Sequence, residues 1–160
     1  MGGNSTANTN TTTDGLSLEG LVIEKNGGFI SCKSPLITPP LDLSSFKGIE
    51  IIVYGQGKNL KLAISCLGNR GGIADFFSRG LRWIVEFQTN ETGSTHIKIP
   101  FTTLEPNIRA KRVPLPLSFN KASINQFQLL YSKFGISGKL NTKFIPGPIK
   151  ILLTSIVAYT

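Results

Sequence analysis

Arg109, Lys111 and Arg112 crowd into the middle of the stretch TLEPNIRAKRVPLPL (103–117), between Pro106 and the pair Pro114 and Pro116. Cations at this spacing do not run a reaction by themselves; they recognise anionic groups such as phosphates, carboxylates or a charged surface. Groups able to catalyse are scarce. The chain has one histidine, His96, and two cysteines, Cys32 and Cys66, each inside an apolar run with no CxxC spacing and no nearby histidine. Both thiols are expected to be buried and free, which suits a reducing compartment. No GxSxG elbow, HExxH, P-loop or GxGxxG following a strand occurs. The glycine-rich YGQGKN (54–59) and GNRGG (68–72) read as a hairpin or a bulge rather than a phosphate cradle. The expectation is a binding protein, not an enzyme, with no cofactor and no metal.

Charge is distributed unevenly. All nine acids lie between Asp14 and Glu105, where as many Lys and Arg residues balance them. The whole net charge of +8 therefore belongs to the last third, which carries Arg109, Lys111, Arg112, Lys121, Lys133, Lys139, Lys143 and Lys150 and no acid. A field of one sign favours an anionic partner, whether nucleic acid, a lipid surface or an acidic protein, or serves solubility alone. Lys133 and Lys143 join Arg109, Lys111 and Arg112 as candidate partner-binding residues, expected on one rigid basic rim.

The elements that would carry these side chains are strands. A chain of 160 residues fits one domain with a real core. Residues 1–15, MGGNSTANTNTTTDG, form a polar low-complexity tract expected to be disordered or a long loop, leaving residues 16–160 as a single domain. Its opening MGGNST also fits a myristoylation pattern that is short enough to arise by chance. From Leu16 onward, eight short β-favouring runs alternate with Gly, Pro and Asn: LSLEGLVIE, GGFISCKS, GIEIIVYG, LKLAISCL, LRWIVEFQ, THIKIPF, INQFQLLYS and IKILLTSIVAY. In LRWIVEF the set Leu81, Trp83, Val85 and Phe87 should face inward and Arg82 and Glu86 outward; in HIKIPF, Ile97, Ile99 and Phe101 should face inward, leaving His96 and Lys98 wet. The pattern predicts an all-β, antiparallel sandwich or jelly roll, since a parallel fold would need crossover helices. No run approaches a membrane span, and the start has no apolar signal region, so a soluble, unsecreted protein is expected.

The order of the runs resembles a known family. GGFISCKSP, LDLSSFKGIEIIVYGQGKNLKLAIS, IKIPFTTLEPNIRA and IKILLTSIVAY are similar to the complex I intermediate-associated proteins, the family of the thirty-kilodalton mitochondrial assembly factor. The resemblance runs from Leu18 almost to the end. LLYSKFGISGKLNTKFIPGPIKI looks most like the phototroph branch, in which this domain accompanies an NmrA-like short-chain dehydrogenase fold. MGGNS resembles the second half of the family's Asp-x-x-Met-Gly-Gly opening, so a truncated start or an excised domain is expected. Among the matching residues, Asp42, Phe46 and Gly48 should build a turn that delivers the next strand. Gly55 and Gly57 should supply positive φ at a hairpin, Pro100 should end a ladder, and Phe101 and Leu104 should anchor the loop that holds Pro106. Arg109 fills the family's recurrent arginine position. Departures are Gln56 in place of an acid, Ser94 in place of a tryptophan and Leu60 in place of a tyrosine, which weakens any ligand surface built there in relatives.

The resemblance implies a galactose-binding-like jelly roll that binds protein subunits or assembly intermediates of a membrane bioenergetic complex, either a complex I type dehydrogenase or a photosystem. The resemblance further implies a place in the cytoplasm or an organelle matrix or stroma and an NmrA-like dehydrogenase-fold partner, and the three cations of the 103–117 stretch are expected to allow transient contact with an anionic membrane. Two alternatives stay open: an RNA-binding factor supporting translation of a photosystem subunit, and a carbohydrate-binding module suggested by the fold.

Overall fold

A computed structural model describes residues 4–67, 80–108, 111–136 and 138–160. The GNRGG segment, Arg109 and the first three residues of the N-terminal tract lie outside the described residues. All eight predicted runs are strands: β2 (Gly15–Val22), β3 (Phe29–Lys33), β4 (Gly48–Tyr54), β5 (Asn59–Cys66), β6 (Leu81–Gln88), β7 (Thr95–Pro100), β10 (Ile124–Ser132) and β11 (Gly147–Tyr159). Three more were not anticipated: β1 (Thr6–Thr12), β8 (Glu105–Ile108) and β9 (Lys111–Arg112). Among the described residues the only helical pieces are two 3-10 turns, Phe101–Thr103 and Lys121–Ser123.

The strands form two antiparallel sheets, one ordered β1-β2-β11-β4-β7 and the other β3-β10-β5-β6-β8-β9. Alternation builds the core between them. Ile49, Ile51 and Val53 of β4 and Leu60, Leu62 and Ile64 of β5 are all fully buried in one cluster, while Glu50, Ile52 and Lys61 between them are only partly covered and Ala63 is buried as well. Of the residues that alternation turned inward, Trp83, Phe87, Ile99 and Phe101 are buried and Leu81, Val85 and Ile97 half-buried; Leu104 is buried as a loop anchor, and His96 is exposed. Leu60, at a departure from the family pattern, is a core residue and belongs to no surface.

The N-terminal tract corrects an expectation. Thr6–Thr12 pairs along its whole length with β2, although all seven residues are exposed. Threonine's branched Cβ favours extended backbone, and a ladder of backbone hydrogen bonds needs no apolar face of its own. The Ser5 hydroxyl closes the far end, accepting from Ile23 N at 2.9 Å.

The YGQGKN hairpin differs from expectation in one residue. Gly57 has φ +75°, but the second left-handed position is Gln56, at φ 54°. Gly55 serves close approach instead: a Cβ there would stand 2.5 Å from the Thr89 side chain. Asp42 builds the expected turn, its Oδ1 accepting from Ser44 N at 2.9 Å, and its carboxyl is held below the usual range by the Ser44 hydroxyl and amide. Phe46 packs against the core edge, and Gly48 lets β4 approach β7 so closely that a Cβ would lie 2.2 Å from Ile99 O.

Cys32 and Cys66 are both free thiols, Cys32 buried as expected and Cys66, at the end of β5, only half-buried; burial pushes each pKa up. A thiolate is needed for attack, so native protein is expected to react with Ellman's reagent far more slowly than urea-unfolded protein, in which both cysteines titrate at once. Equal rates in the two states would contradict this packing.

Candidate interaction surfaces

The 103–117 stretch is not one loop. Phe101 and Leu104 anchor its base in the core, and Pro106 sits opposite Trp83 where β8 pairs with β6. β9 then adds to β8, with Asn107 opposite Arg112 and Ile108 opposite Lys111, and Val113 N donates to Pro106 O at 2.8 Å. Pro106 thus lies inside β8, whereas Pro114 and Pro116 follow β9, where a missing donor suits the end of the edge strand. Arg112 Nε lies 3.1 Å from Glu105 Oε2, so part of its charge is already answered. Lys111 is exposed and has no ion-pair partner among the described residues.

Lys133 and Lys143 lie elsewhere. β9 ends one edge of the six-stranded sheet, at the level of Leu81, where β6 begins. Lys133 follows β10 beside β3, at the opposite edge and toward the other end of the sheet, where Gln88 closes β6. Among the described residues the structure thus sets Lys111 and Arg112 at one corner and Lys133 and Lys143 at the diagonal one, and does not unite these four in one rim. Lys133 Nζ pairs with Glu24 at 2.9 Å, Lys150 pairs with Glu19 at 2.8 Å on the other sheet, and Lys121 Nζ donates to the carbonyls of Ser44 and Phe46.

The connection from β10 to β11 that carries Lys133, Lys139 and Lys143 is held from inside. Buried Asn141 donates to Ser132 O at 3.0 Å and Asn59 O at 3.2 Å and accepts from Lys143 N at 3.0 Å. The Tyr131 hydroxyl accepts from Ile145 N at 2.7 Å and faces the carbonyls of Lys143 and Ile145, while its ring stacks on Phe144 at 5.4 Å. Burial raises the Tyr131 pKa, opposed by the bond with Ile145. From β5 and β6, Lys61 Nζ donates to Phe134 O, and Glu86 Oε1 accepts from Ile136 N at 2.7 Å. Burial lowers the Lys61 pKa, and the nearby Glu86 charge opposes that shift. A loop tied at this many points presents its outward side chains in a fixed geometry.

Between the two corners, the outer face of the six-stranded sheet carries polar side chains that sequence reading treated only as a wet face. Arg82 Nη1 donates to Gln128 Oε1, and Gln128 Nε2 donates to Ser31 Oγ at 3.0 Å. A cavity of about 210 Å³ opens there, lined by Lys61, Arg82, Ile84, Asn107, Leu130 and Ile136. The alternation of Arg82 and Glu86 with Trp83 and Phe87 was the available signal; which strands flank β6 was not in it. Among the described residues no group of His, Cys, Asp and Glu could hold a metal ion, and no helix is long and apolar enough to cross a membrane.

Two antiparallel sheets around one aliphatic and aromatic core make this a β-sandwich of the jelly-roll class. Solved structures share it. A family 11 carbohydrate-binding module from Clostridium thermocellum, in complex with a β-1,3-1,4-mixed-linked tetrasaccharide, is 13% identical with a TM-score of 0.64, over 99% of this chain and 86% of that one. The family 11 module of a cellulosomal cellulase of the same organism is 12% identical with a TM-score of 0.64, over 99% and 85% of the two chains. An agarase is 8% identical with a TM-score of 0.58, over 100% of this chain and 22% of the enzyme. At these identities the likeness is one of fold. No curated protein sequence matches. The family model for complex I intermediate-associated protein 30 matches residues 1–153, and the chain belongs to that family.

Proposed function

We propose that this chain is a non-catalytic, protein-binding assembly factor for a membrane bioenergetic complex, working from the soluble side in the cytoplasm or an organelle matrix or stroma. The observation that carries the proposal is family membership over residues 1–153, which associates the domain with complex I subunits or assembly intermediates. The phototroph character of LLYSKFGISGKLNTKFIPGPIKI extends the proposal to photosystem biogenesis and to an NmrA-like dehydrogenase-fold partner. The contact surface we assign is the β8–β9 edge, where exposed Lys111 and Arg112 follow Arg109, with Lys133 and Lys143 as a second cationic corner. Exposed cations on a pinned hairpin raise association rates with acidic partners and add selectivity more than affinity.

The test is capture of complex I or photosystem subunits from detergent-solubilised host membranes by the tagged chain. Lys111→Glu combined with Arg112→Glu is expected to leave circular dichroism unchanged and to remove those subunits from the eluate. Undiminished capture by the double variant would move the contact off this edge, and no such subunits with the unaltered chain would end the reading.

The carbohydrate alternative rests on the fold neighbours. Sugar sites favour exposed aromatic platforms, and the chain's only tryptophan, Trp83, is 4% exposed and faces the core. The nucleic-acid alternative draws on the phototroph resemblance and on charge, and among the described residues that charge is divided between two corners.

A further inference from the structure

The β10–β11 connection exposes apolar side chains that the core could have used. Leu140 is 64% exposed, Ile145 68% and Phe134 45%, and Phe134 and Leu140 lie side by side across an antiparallel bridge. Single exposed apolar residues are ordinary, but three on one connection are not the scattered kind. Nor do they follow from slackness, because Asn141, Tyr131, Glu86 and Lys61 fix the backbone beneath them. Three lysines, Lys133, Lys139 and Lys143, alternate with them, and residues 133–146 contain no acid. The neighbouring turn adds exposed Lys25 and one acid, Glu24, which is paired with Lys133.

We propose that this corner is a membrane-docking site for an anionic lipid bilayer, with Phe134, Leu140 and Ile145 entering the interface and Lys139 and Lys143 meeting lipid phosphates. The charge balance selects that occupant. Lysine side chains keep their ammonium groups at headgroup level while neighbouring aliphatic groups sit at the acyl boundary. The lysines attract without requiring bidentate geometry, as a fluid surface demands. A loop held rigid before contact loses little further freedom on docking. The proposal deepens the assembly reading by fixing which corner faces the membrane, yet its test contains no protein partner and can fail separately.

The experiment is sedimentation of the full chain with vesicles of phosphatidylcholine alone or mixed equally with phosphatidylglycerol. Each lysine near an anionic surface contributes about fivefold in affinity, so Lys139→Gln with Lys143→Gln is expected to weaken binding to mixed vesicles by more than tenfold. Leu140→Ser with Ile145→Ser should weaken it by about tenfold or more, because each removes apolar area from the interface. These four side chains are exposed, so both variants should keep the unaltered melting temperature. Unchanged affinity in the Leu140/Ile145 variant would overturn the proposal, as would sedimentation only with vesicles that carry membrane protein, which would assign the corner to a protein instead.

Discussion

Trp83→Ala is expected to cost about 3–5 kcal/mol of folding free energy, as full truncation of a large buried aromatic does. The ring is 4% exposed and meets Phe119 edge-on at 5.4 Å, and Phe119 in turn lies 5.2 Å from Phe101. Its backbone pairs with Ile64 on one side and Pro106 on the other, so it also supports the β8–β9 edge. Domains of this size have about 5–15 kcal/mol in total, so this single change would remove about a fifth or more and shift the folding equilibrium about a thousandfold. The urea midpoint should fall with the slope unchanged. Trp83→Phe, which keeps the contact with Phe119, should cost under about 1.5 kcal/mol. A loss below about 1 kcal/mol for the alanine variant would mean that the ring is not a core residue. Because the ring underlies the edge hairpin, the alanine variant should also weaken subunit capture without any change of surface charge.

Trp83 was legible because strand alternation has a period of two and places it opposite Arg82 and Glu86. The same rule recovered every strand with an apolar face. It could not find β1, whose residues are all polar and whose ladder rests on threonine backbone preference. It also passed over β8 and β9, because Pro106 argues against a strand; β8 lies between β6 and β9, and Pro106, which has no N–H to give, takes part through its carbonyl, which accepts from Val113 N. Gly55 and Gln56 show a finer limit: the turn was evident, but the left-handed position fell on Gln56, and Gly55 is needed for the close approach of Thr89, which is distant in sequence.

The surfaces were less legible than the core. Cations close in sequence between residues 109 and 143 were expected to share one rim, but sheet order separates them: β8–β9 extends one edge, and the β10–β11 connection hangs from the other. Strand order depends on long-range pairing that no local pattern records. Glu105 and Glu24, both from the balanced part of the chain, then take Arg112 and Lys133 as partners, leaving Lys111, Lys139 and Lys143 as the exposed cations of the last third without an ion pair among the described residues. Charge counting sees totals and not such pairings.

Asn141→Ala should show how far the second corner depends on its interior ties. Asn141 is 9% exposed, and its amide holds Ser132 O, Asn59 O and Lys143 N. Each buried backbone group left without a partner costs about 1–3 kcal/mol, reduced where the loop relaxes to admit water. A loss of about 3 kcal/mol is expected, concentrated at the loop. Amide exchange should therefore quicken at residues 138–146 while β4 and β5, whose inner side chains are fully buried, stay protected. Tyr131→Phe should act on the same segment from the other side, freeing Ile145 N. The two changes share the Lys143–Ile145 backbone, so their effects should not add. Vesicle affinity should fall in both although no exposed side chain is altered, since the apolar residues must then be ordered during docking. If exchange instead rises equally in every strand, Asn141 is a core residue like any other, and the corner owes its shape to something besides these bonds.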